Sequence, residues 1–265
     1  MALIPVPYRY GLNMWGKVSF IETFECRHGH ARNPPSFQWL TCGRTRLGRH
    51  CATHLAQSDI KRDEPLATLE FYFDCSSPWT YLAFSRIEAL VERTGATIIW
   101  KPILVGGIFN AVNDTVYEAR AKPHPIKGRY YVKDLRDWAK FCGVEIGQPP
   151  VFPVNSVNAM RAAIVADGEG KLPAFCWAVF RTYWGELKDI SQPDVLEAIC
   201  QEVGLDWAHV AKRIKDDDIK AQLRTNTDEV IARGGFGSPT MFVNKTDMYF
   251  GNDRLPLVEA ALKHG

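Results

Sequence analysis

The sequence predicts an α/β protein with one mixed four-stranded sheet and an inserted block of helices. Residues 69–103 read as strand, helix and strand, and residues 240–262 read as two strands and a helix. Between these segments the apolar residues recur at helical spacing. Because a βαβ unit and a ββα unit can share one mixed sheet, we expect the two segments to pair with the helical block between them.

The first segment has the pattern of a βαβ unit. "LEFYFD", beginning at Leu69, is apolar and rich in β-forming residues, as in a buried strand. Ala83, Ile87 and Leu90 then recur at helical spacing as far as Gly95, a residue type that often ends helices. "TIIWKPI" follows as a second buried strand. A strand pair joined by a helix is expected to be parallel, with a right-handed crossover.

The middle of the chain predicts several helices, each with one apolar face. The last of these helical stretches ends at Gly234–Gly235. The apolar faces are Val132, Leu135, Trp138, Ala139 and Cys142; Phe175, Ala178, Val179 and Thr182; Val195, Ile199 and Val203; and Trp207, Val210, Ala211 and Ile214.

The C-terminal segment predicts a β-hairpin and a final helix. "TMFVN" and "DMYFG" are short strands joined by a turn at 244–247, and Leu255, Val258 and Leu262 recur at helical spacing. We therefore expect one sheet-containing domain at 66–105 and 226–265, an inserted helical domain at 106–225, and an N-terminal extension at 1–65.

The extension differs from the rest in composition. Residues 1–60 contain seven Lys or Arg against three acidic residues, although the whole chain has a net charge of +2. Its pattern has no sustained period and predicts little stable structure. A zinc site is a second interpretation, but its spacings match no established zinc motif. The candidate ligands are Cys26, His28, His30, Cys42, His50, Cys51 and His54.

Charge, hydropathy and cysteine content also indicate which classes of protein we do not expect. The basic excess lies in the extension, so we expect no nucleic-acid surface on the main body. No apolar stretch reaches the roughly 18 residues of a membrane span, and no secretory signal is apparent. Seven Cys without a C-x-x-C pair favour reduced thiols. We therefore expect a cytoplasmic protein.

The turn Cys75-Ser76-Ser77-Pro78 connects the first strand to the first helix and allows several interpretations. Ser77 before Pro78 is typical of a helix N-cap. The same helix start also stabilises an anion, so a thiolate there would be bound by the amides and the Ser77 hydroxyl. Cys75 is a rival nucleophile, although a lone Cys at the end of a strand is more often a buried hydrophobe.

Several motifs together resemble the 2-hydroxychromene-2-carboxylate isomerase family, which is close to kappa-class glutathione transferases. The resemblance covers about 69–262. It is carried by "FYFDCSSPWTYLA", "GFGSPTMFV" and "YFGNDRL", with "KGRYYVKDLRDWAKFCG" and "PPVFPVNSVNAMRA" between them. It implies a thioredoxin-like fold with a helical insertion, a glutathione cofactor, and commonly a homodimer.

The resemblance also implies roles for individual residues. Ser77 stands where related thiol oxidoreductases have their first redox Cys, and it would bind the glutathione sulfur. Thr80 stands where the second Cys would be, so disulfide exchange through that pair is excluded. The other implied glutathione-binding residues are Asn113, Ser238 before a cis Pro239, and Gly251, Asn252 and Asp253, the last two at the γ-glutamyl end.

The implied reaction is a glutathione-dependent cis–trans isomerisation of an aromatic or unsaturated carboxylate. Asn155 and Ser156 would lie in the substrate wall. The naphthalene-pathway isomerases have a Lys near the segment here occupied by "GGIFN" and a Tyr where this chain has Ser156, so the exact substrate is left open. The alternatives are a kappa-like transferase and a thioredoxin-like glutathione-binding module without turnover.

Overall fold

The predicted mixed sheet is confirmed by the structure, a computed structural model that describes residues 67–264. The predictions for the extension, including the zinc ligands, lie outside the described residues. The sheet order is β2-β1-β3-β4, with β1 parallel to β2, and with the pairs β1–β3 and β3–β4 antiparallel. The strands are β1 Thr68–Phe73, β2 Thr97–Pro102, β3 Thr240–Val243 and β4 Asp247–Phe250.

Ten α-helices accompany the sheet within the described residues. Their bounds are α1 Pro78–Thr94, α2 Val105–Val112, α3 Thr115–Ala121, α4 Pro125–Cys142, α5 Val157–Gly168, α6 Leu172–Phe180, α7 Pro193–Glu202, α8 Trp207–Arg213, α9 Asp217–Ala232 and α10 Leu255–His264. A π-helical turn, Arg181–Gly185, extends α6, and a 3₁₀ turn, Asn252–Arg254, precedes α10. None of these helices has the length and apolar character needed to cross a bilayer.

Three helices were not predicted from the sequence. α2 and α3 are short, and α3 has no buried residue that would give it an apolar face. α5 is buried nearly all round, because small residues such as Ala159, Ala162 and Ala163 let its neighbours approach closely. A helix without an exposed face has no amphipathic period, so this pattern could not be recognised.

The two faces of the sheet pack against different layers. Successive side chains of β1 alternate, so Phe71 and Phe73 join the larger core, together with Phe84 of α1 and Trp100 of β2. Tyr72 points to the opposite face, in a smaller cluster with Ile103, Ile108, Val230 and Phe242. β1 is therefore covered on both faces, and its carboxyl end is held firmly where the turn to α1 begins.

Arg233 fixes the end of α9 against the sheet. Its guanidinium donates to the Glu70 carboxylate at 2.7 Å and to the Lys245 carbonyl at 2.7 Å, and it also bonds the Tyr72 hydroxyl. The same group stacks on Phe242, 3.6 Å from the ring centre. Because residues 234–239 follow directly, this anchor determines where the loop before β3 starts.

Candidate active site

The turn between β1 and α1 is built around Ser77. Ser77 is the N-cap of α1, with extended backbone angles, and its hydroxyl oxygen accepts from the Thr80 amide at 3.3 Å. Pro78 has no N–H, and the Trp79 amide has no acceptor in the described part of the chain. The predicted N-cap is thus observed, and a donor at the positive end of the helix remains for an anion.

The loop before β3 meets this turn through Ser238, whose bond to Pro239 is cis. The Ser77 hydroxyl donates to the Ser238 carbonyl at 3.1 Å. The Ser238 hydroxyl accepts from the Asp74 amide at 3.0 Å and lies 2.7 Å from the Thr80 hydroxyl. The two segments are therefore joined by direct hydrogen bonds, and the Ser77 side chain lies at their junction.

Asp74, which the sequence analysis did not single out, connects four segments of the site. Its carboxylate accepts from the Ser76 amide at 2.9 Å, from the Val105 amide at the start of α2 at 2.9 Å, and from the Ser156 hydroxyl at 3.1 Å. Its own amide bonds Ser238, as described above. A single side chain thus sets the spacing between the turn, α2 and the loop at 152–156.

Burial changes the ionisation of two groups next to Ser77. Desolvation raises the pKa of the fully buried Asp74 carboxyl, although its hydrogen bonds to Ser76 and Val105 oppose the shift. Burial also raises the pKa of the Cys75 thiol well above its ordinary value, and the neighbouring Cys176 adds to this shift. Because Cys75 is only 1% exposed, its side chain behaves as a small core hydrophobe and not as a nucleophile.

A cavity of about 580 Å³ opens in front of Ser77. This volume lies within the range of about 300–1,000 Å³ that is typical of small-molecule sites. Its walls come from α1, α2, α3, α4 and the loop before β3, and they are mainly apolar. They include Ser76, Ser77, Pro78, Trp79, Val105, Phe109, Asn113, Val116, Ala119, Arg120, Pro123, His124, Lys127, Gly128, Tyr131, Phe152, Phe236, Gly237, Ser238 and Phe250.

Three of the predicted site residues, Ser77, Ser238 and Asn113, line this one cavity. Asn113 ends α2, and its side-chain amide donates to the Phe236 carbonyl at 3.0 Å. Its amide oxygen accepts from the Thr115 hydroxyl at 3.2 Å. Asn113 therefore ties the wall formed by α2 to the loop that carries Ser238.

The residues predicted to bind the γ-glutamyl end of glutathione do not share the cavity with Ser77. Asn252 is 3% exposed, and its side-chain oxygen accepts from Arg86 at 3.0 Å, so it fastens the 3₁₀ turn to α1. The side chain of Asp253 is exposed and is paired with Arg254. Gly251 has a φ of +101° and bonds the Pro239 carbonyl through its amide. These residues, with Pro239, do not line the cavity itself.

The predicted substrate-wall residues line a second, adjacent compartment of about 300 Å³. Asn155 accepts from the Val157 amide at 3.1 Å. Ser156 is 5% exposed, and its hydroxyl donates to the Asp74 carboxylate. Five residues line both compartments, so the two spaces meet along them: Ser76, Val105, Phe109, Arg120 and Phe152.

Comparisons with known proteins agree with the motifs. A family model described as a DSBA-like thioredoxin domain matches residues 68–263. A 2-hydroxychromene-2-carboxylate isomerase from Sphingobium xenophagum is 30% identical over 201 residues, which cover 74% of this chain and 97% of that protein. Glutathione S-transferase kappa 1 from Rattus norvegicus is 26% identical, covering 72% and 88% of the two chains. A solved 2-hydroxychromene-2-carboxylate isomerase structure superposes with a TM-score of 0.64, at 26% identity, over 74% of this chain and 95% of that one.

Proposed function

Because the chain belongs to the DSBA-like thioredoxin domain family, with the predicted thioredoxin-like fold, we propose that it is a glutathione-dependent isomerase of the 2-hydroxychromene-2-carboxylate type. The observation that carries this proposal is the Ser77 hydroxyl, which lies at the start of α1 and lines a cavity large enough for a peptide thiol. The similarity to isomerases and to kappa-class transferases supports the same class of chemistry.

The residues that stand at the two Cys positions of a C-x-x-C redox motif support thiol binding and not disulfide exchange. Ser77 and Thr80 have the spacing of the two Cys in a C-x-x-C motif. Thr80 is fully buried, and its hydroxyl is bonded to Ser238. Neither side chain can form a disulfide, so a thiol bound here stays a ligand of the site.

Glutathione, when bound, would supply a nucleophilic thiolate that adds reversibly to an unsaturated carbon and so permits rotation about the former double bond. The Ser77 hydroxyl would donate to that sulfur after rotating away from the Ser238 carbonyl. The Trp79 amide and the positive end of α1 would favour the ionised thiol. The protein thus lowers the pKa of the bound thiol and positions it against the second substrate.

Several residues present a suitable surface for the tripeptide. The Ser238 backbone faces Ser77 across a 3.1 Å hydrogen bond, and Asn113 lies on the neighbouring wall. The exposed Asp253 carboxylate would accept from the γ-glutamyl ammonium. Because Arg86 donates to both the side-chain oxygen and the backbone carbonyl of Asn252, we assign to Asn252 the role of holding Asp253 in place.

A kappa-like glutathione transferase is the second candidate, since the same thiolate site would serve conjugation. A glutathione-binding module without turnover is the third. We also propose a homodimer in the cytoplasm. Apolar side chains exposed on α4, such as Ile126, Val132 and Phe141, support the dimer. Free cysteines support a reducing compartment.

Incubation with glutathione and 2-hydroxychromene-2-carboxylate should yield the trans isomer without consuming thiol, because elimination regenerates glutathione. Chromatography of the products and a thiol assay measure both quantities. A parallel incubation with an aryl halide serves as the comparison. A stable thioether from the aryl halide without isomerisation would favour the transferase, and glutathione binding without either product would favour the module.

A further inference from the structure

We propose that Trp184 and Tyr183 are positioning residues, which fix the Ser77 turn (residues 75–77) relative to the second compartment. This inference rests on the proposed function, because the turn would hold the thiol of glutathione and the compartment would hold part of the second substrate. Neither side chain is among the described residues that line the two spaces. Both would therefore act through the backbone groups that they contact, and not on the reacting molecules directly.

The two residues lie in the π-helical turn Arg181–Gly185, which extends α6. The Glu186 amide donates to the Arg181 carbonyl at 2.9 Å, with the five-residue separation that defines a π-helix. Such turns at α-helices are frequent at functional sites. Tyr183 is fully buried, Trp184 is 3% exposed, and their ring centres are 4.7 Å apart, so the two side chains pack as one unit.

Trp184 holds the Ser77 turn through its indole N–H, which donates to the Cys75 carbonyl at 3.0 Å. The bond is buried, and the indole nitrogen can only donate, so this contact uses its full hydrogen-bonding capacity. The Cys75 amide is also held by the inserted helices, 3.4 Å from the Met160 sulfur of α5. Because the Cys75 carbonyl belongs to the peptide group that leads into Ser76, these contacts set the direction in which the turn continues.

Tyr183 holds Val151, directly before the loop at 152–156. Its hydroxyl donates to the Val151 carbonyl at 2.9 Å. Burial raises the pKa of the Tyr183 hydroxyl, so it stays protonated and remains a donor at neutral pH. The next residue, Phe152, has its ring centre 6.0 Å from that of Trp184. The π-helical turn therefore contacts this loop through both side chains.

The two carbonyls that these donors hold have equivalent positions at the border of the two spaces. Ser76 directly follows the Cys75 carbonyl, and Phe152 follows the Val151 carbonyl in the same way. Both Ser76 and Phe152 line the cavity and the second compartment. The distance between a thiol at Ser77 and a substrate across the border thus depends on the π-helical turn. A misplacement of about 1 Å caused by a mutation far from the chemistry can lower a rate about 100-fold.

Two substitutions that each remove one donor and keep an aromatic ring test this role. We expect Trp184→Phe to lower kcat for isomerisation by roughly 10- to 100-fold and to move the pKa of the bound glutathione thiol toward its solution value. We expect Tyr183→Phe to raise KM for the chromene carboxylate by roughly 2- to 10-fold, as for the loss of one hydrogen bond, without changing that thiol pKa. Steady-state kinetics and ultraviolet absorbance of the thiolate measure these quantities.

Trp177→Phe and Tyr130→Phe are the matched controls, because both side chains are exposed on helices and neither is among the described residues that line the two spaces. Urea denaturation measures the stability of all four variants. If the Trp184 and Tyr183 variants lose only stability and keep the kinetics and thiol pKa of the controls, the positioning role is overturned. If Trp184→Phe does not fold, Tyr183→Phe decides alone, and an unchanged KM overturns the role.

Crystal structures of the ligand-free variants provide a readout that does not depend on glutathione. We expect Ser76 and Ser77 to be displaced in Trp184→Phe, and Phe152 to be displaced in Tyr183→Phe. Both displacements in a protein that does not bind glutathione would support the positioning role and contradict the proposed function. Unchanged positions of these residues in a protein that catalyses the isomerisation would overturn the positioning role and leave the proposed function intact.

Discussion

Replacing Ser77 by alanine is expected to lower the rate of glutathione-dependent isomerisation by roughly 10- to 1,000-fold, the range for losing one donor to a developing or stabilised anion. The Ser77 hydroxyl lies at the start of α1, where it accepts from the Thr80 amide, and it lines the cavity, whereas the Thr80 hydroxyl is buried and bonded to Ser238. Steady-state rates with saturating glutathione measure the effect.

Cys75→Ala is the control for the rival nucleophile. Cys75 precedes Ser77 by two residues, but its thiol is buried and resists ionisation. Its loss should leave the rate per folded molecule nearly unchanged, and circular dichroism should show that both variants keep the fold. An inactive Cys75→Ala variant beside a fully active Ser77→Ala variant would contradict the proposed role of Ser77.

Asp74→Ala should lower the free energy of unfolding by roughly 2–4 kcal/mol and should also reduce activity. The change leaves the buried Val105 amide, the half-buried Ser76 amide and the buried Ser156 hydroxyl without their acceptor, and each unpaired buried group costs about 1–3 kcal/mol. The substitution also removes the free-energy cost of burying the carboxyl group, which offsets part of this loss. Urea denaturation measures the stability, and Asp167→Ala, at a less buried carboxyl on α5, provides the comparison.

The pH dependence of this cost has a defined sign. The folded pKa of Asp74 is raised above its unfolded value, so its stabilising contribution is greatest below about pH 4 and is lost as the pH rises through the raised pKa. The difference in unfolding free energy between wild type and Asp74→Ala should therefore shrink as the pH rises. A difference that grows with pH would show that ionised Asp74 is stabilised by the fold.

The fold could be predicted because the sequence patterns that indicate its strands and helix ends are local. The strands of the βαβ and ββα units are short apolar runs between clear helix boundaries, and Gly95 ends α1 in a left-handed conformation as expected. The apolar face predicted for α4 is only partly buried. Val132 is 55% exposed and only Ala139 is buried on that helix, since a hydrophobic period shows which residues share a face but not whether another element covers it.

The site could be predicted only where a motif contains the interaction. Ser77 and Pro78 form an N-cap that is readable from two adjacent residues. Asp74 and Arg120 acquire their positions from tertiary contacts with α2, the loop at 152–156 and the aromatic rings beside them. No local pattern distinguishes such residues from any other acid or base, so only the assembled structure indicates them.

Whether the start of α1 stabilises a thiolate can be measured through the ionisation of glutathione bound to the wild-type protein, followed by ultraviolet absorbance of the thiolate across a pH titration. We predict a thiol pKa at least about one unit below the value near 8.5 of an unperturbed thiol, with much of that shift lost in Ser77→Ala. A bound thiol that ionises at its solution pKa, in wild type and variant alike, would contradict a thiolate stabilised at the start of α1.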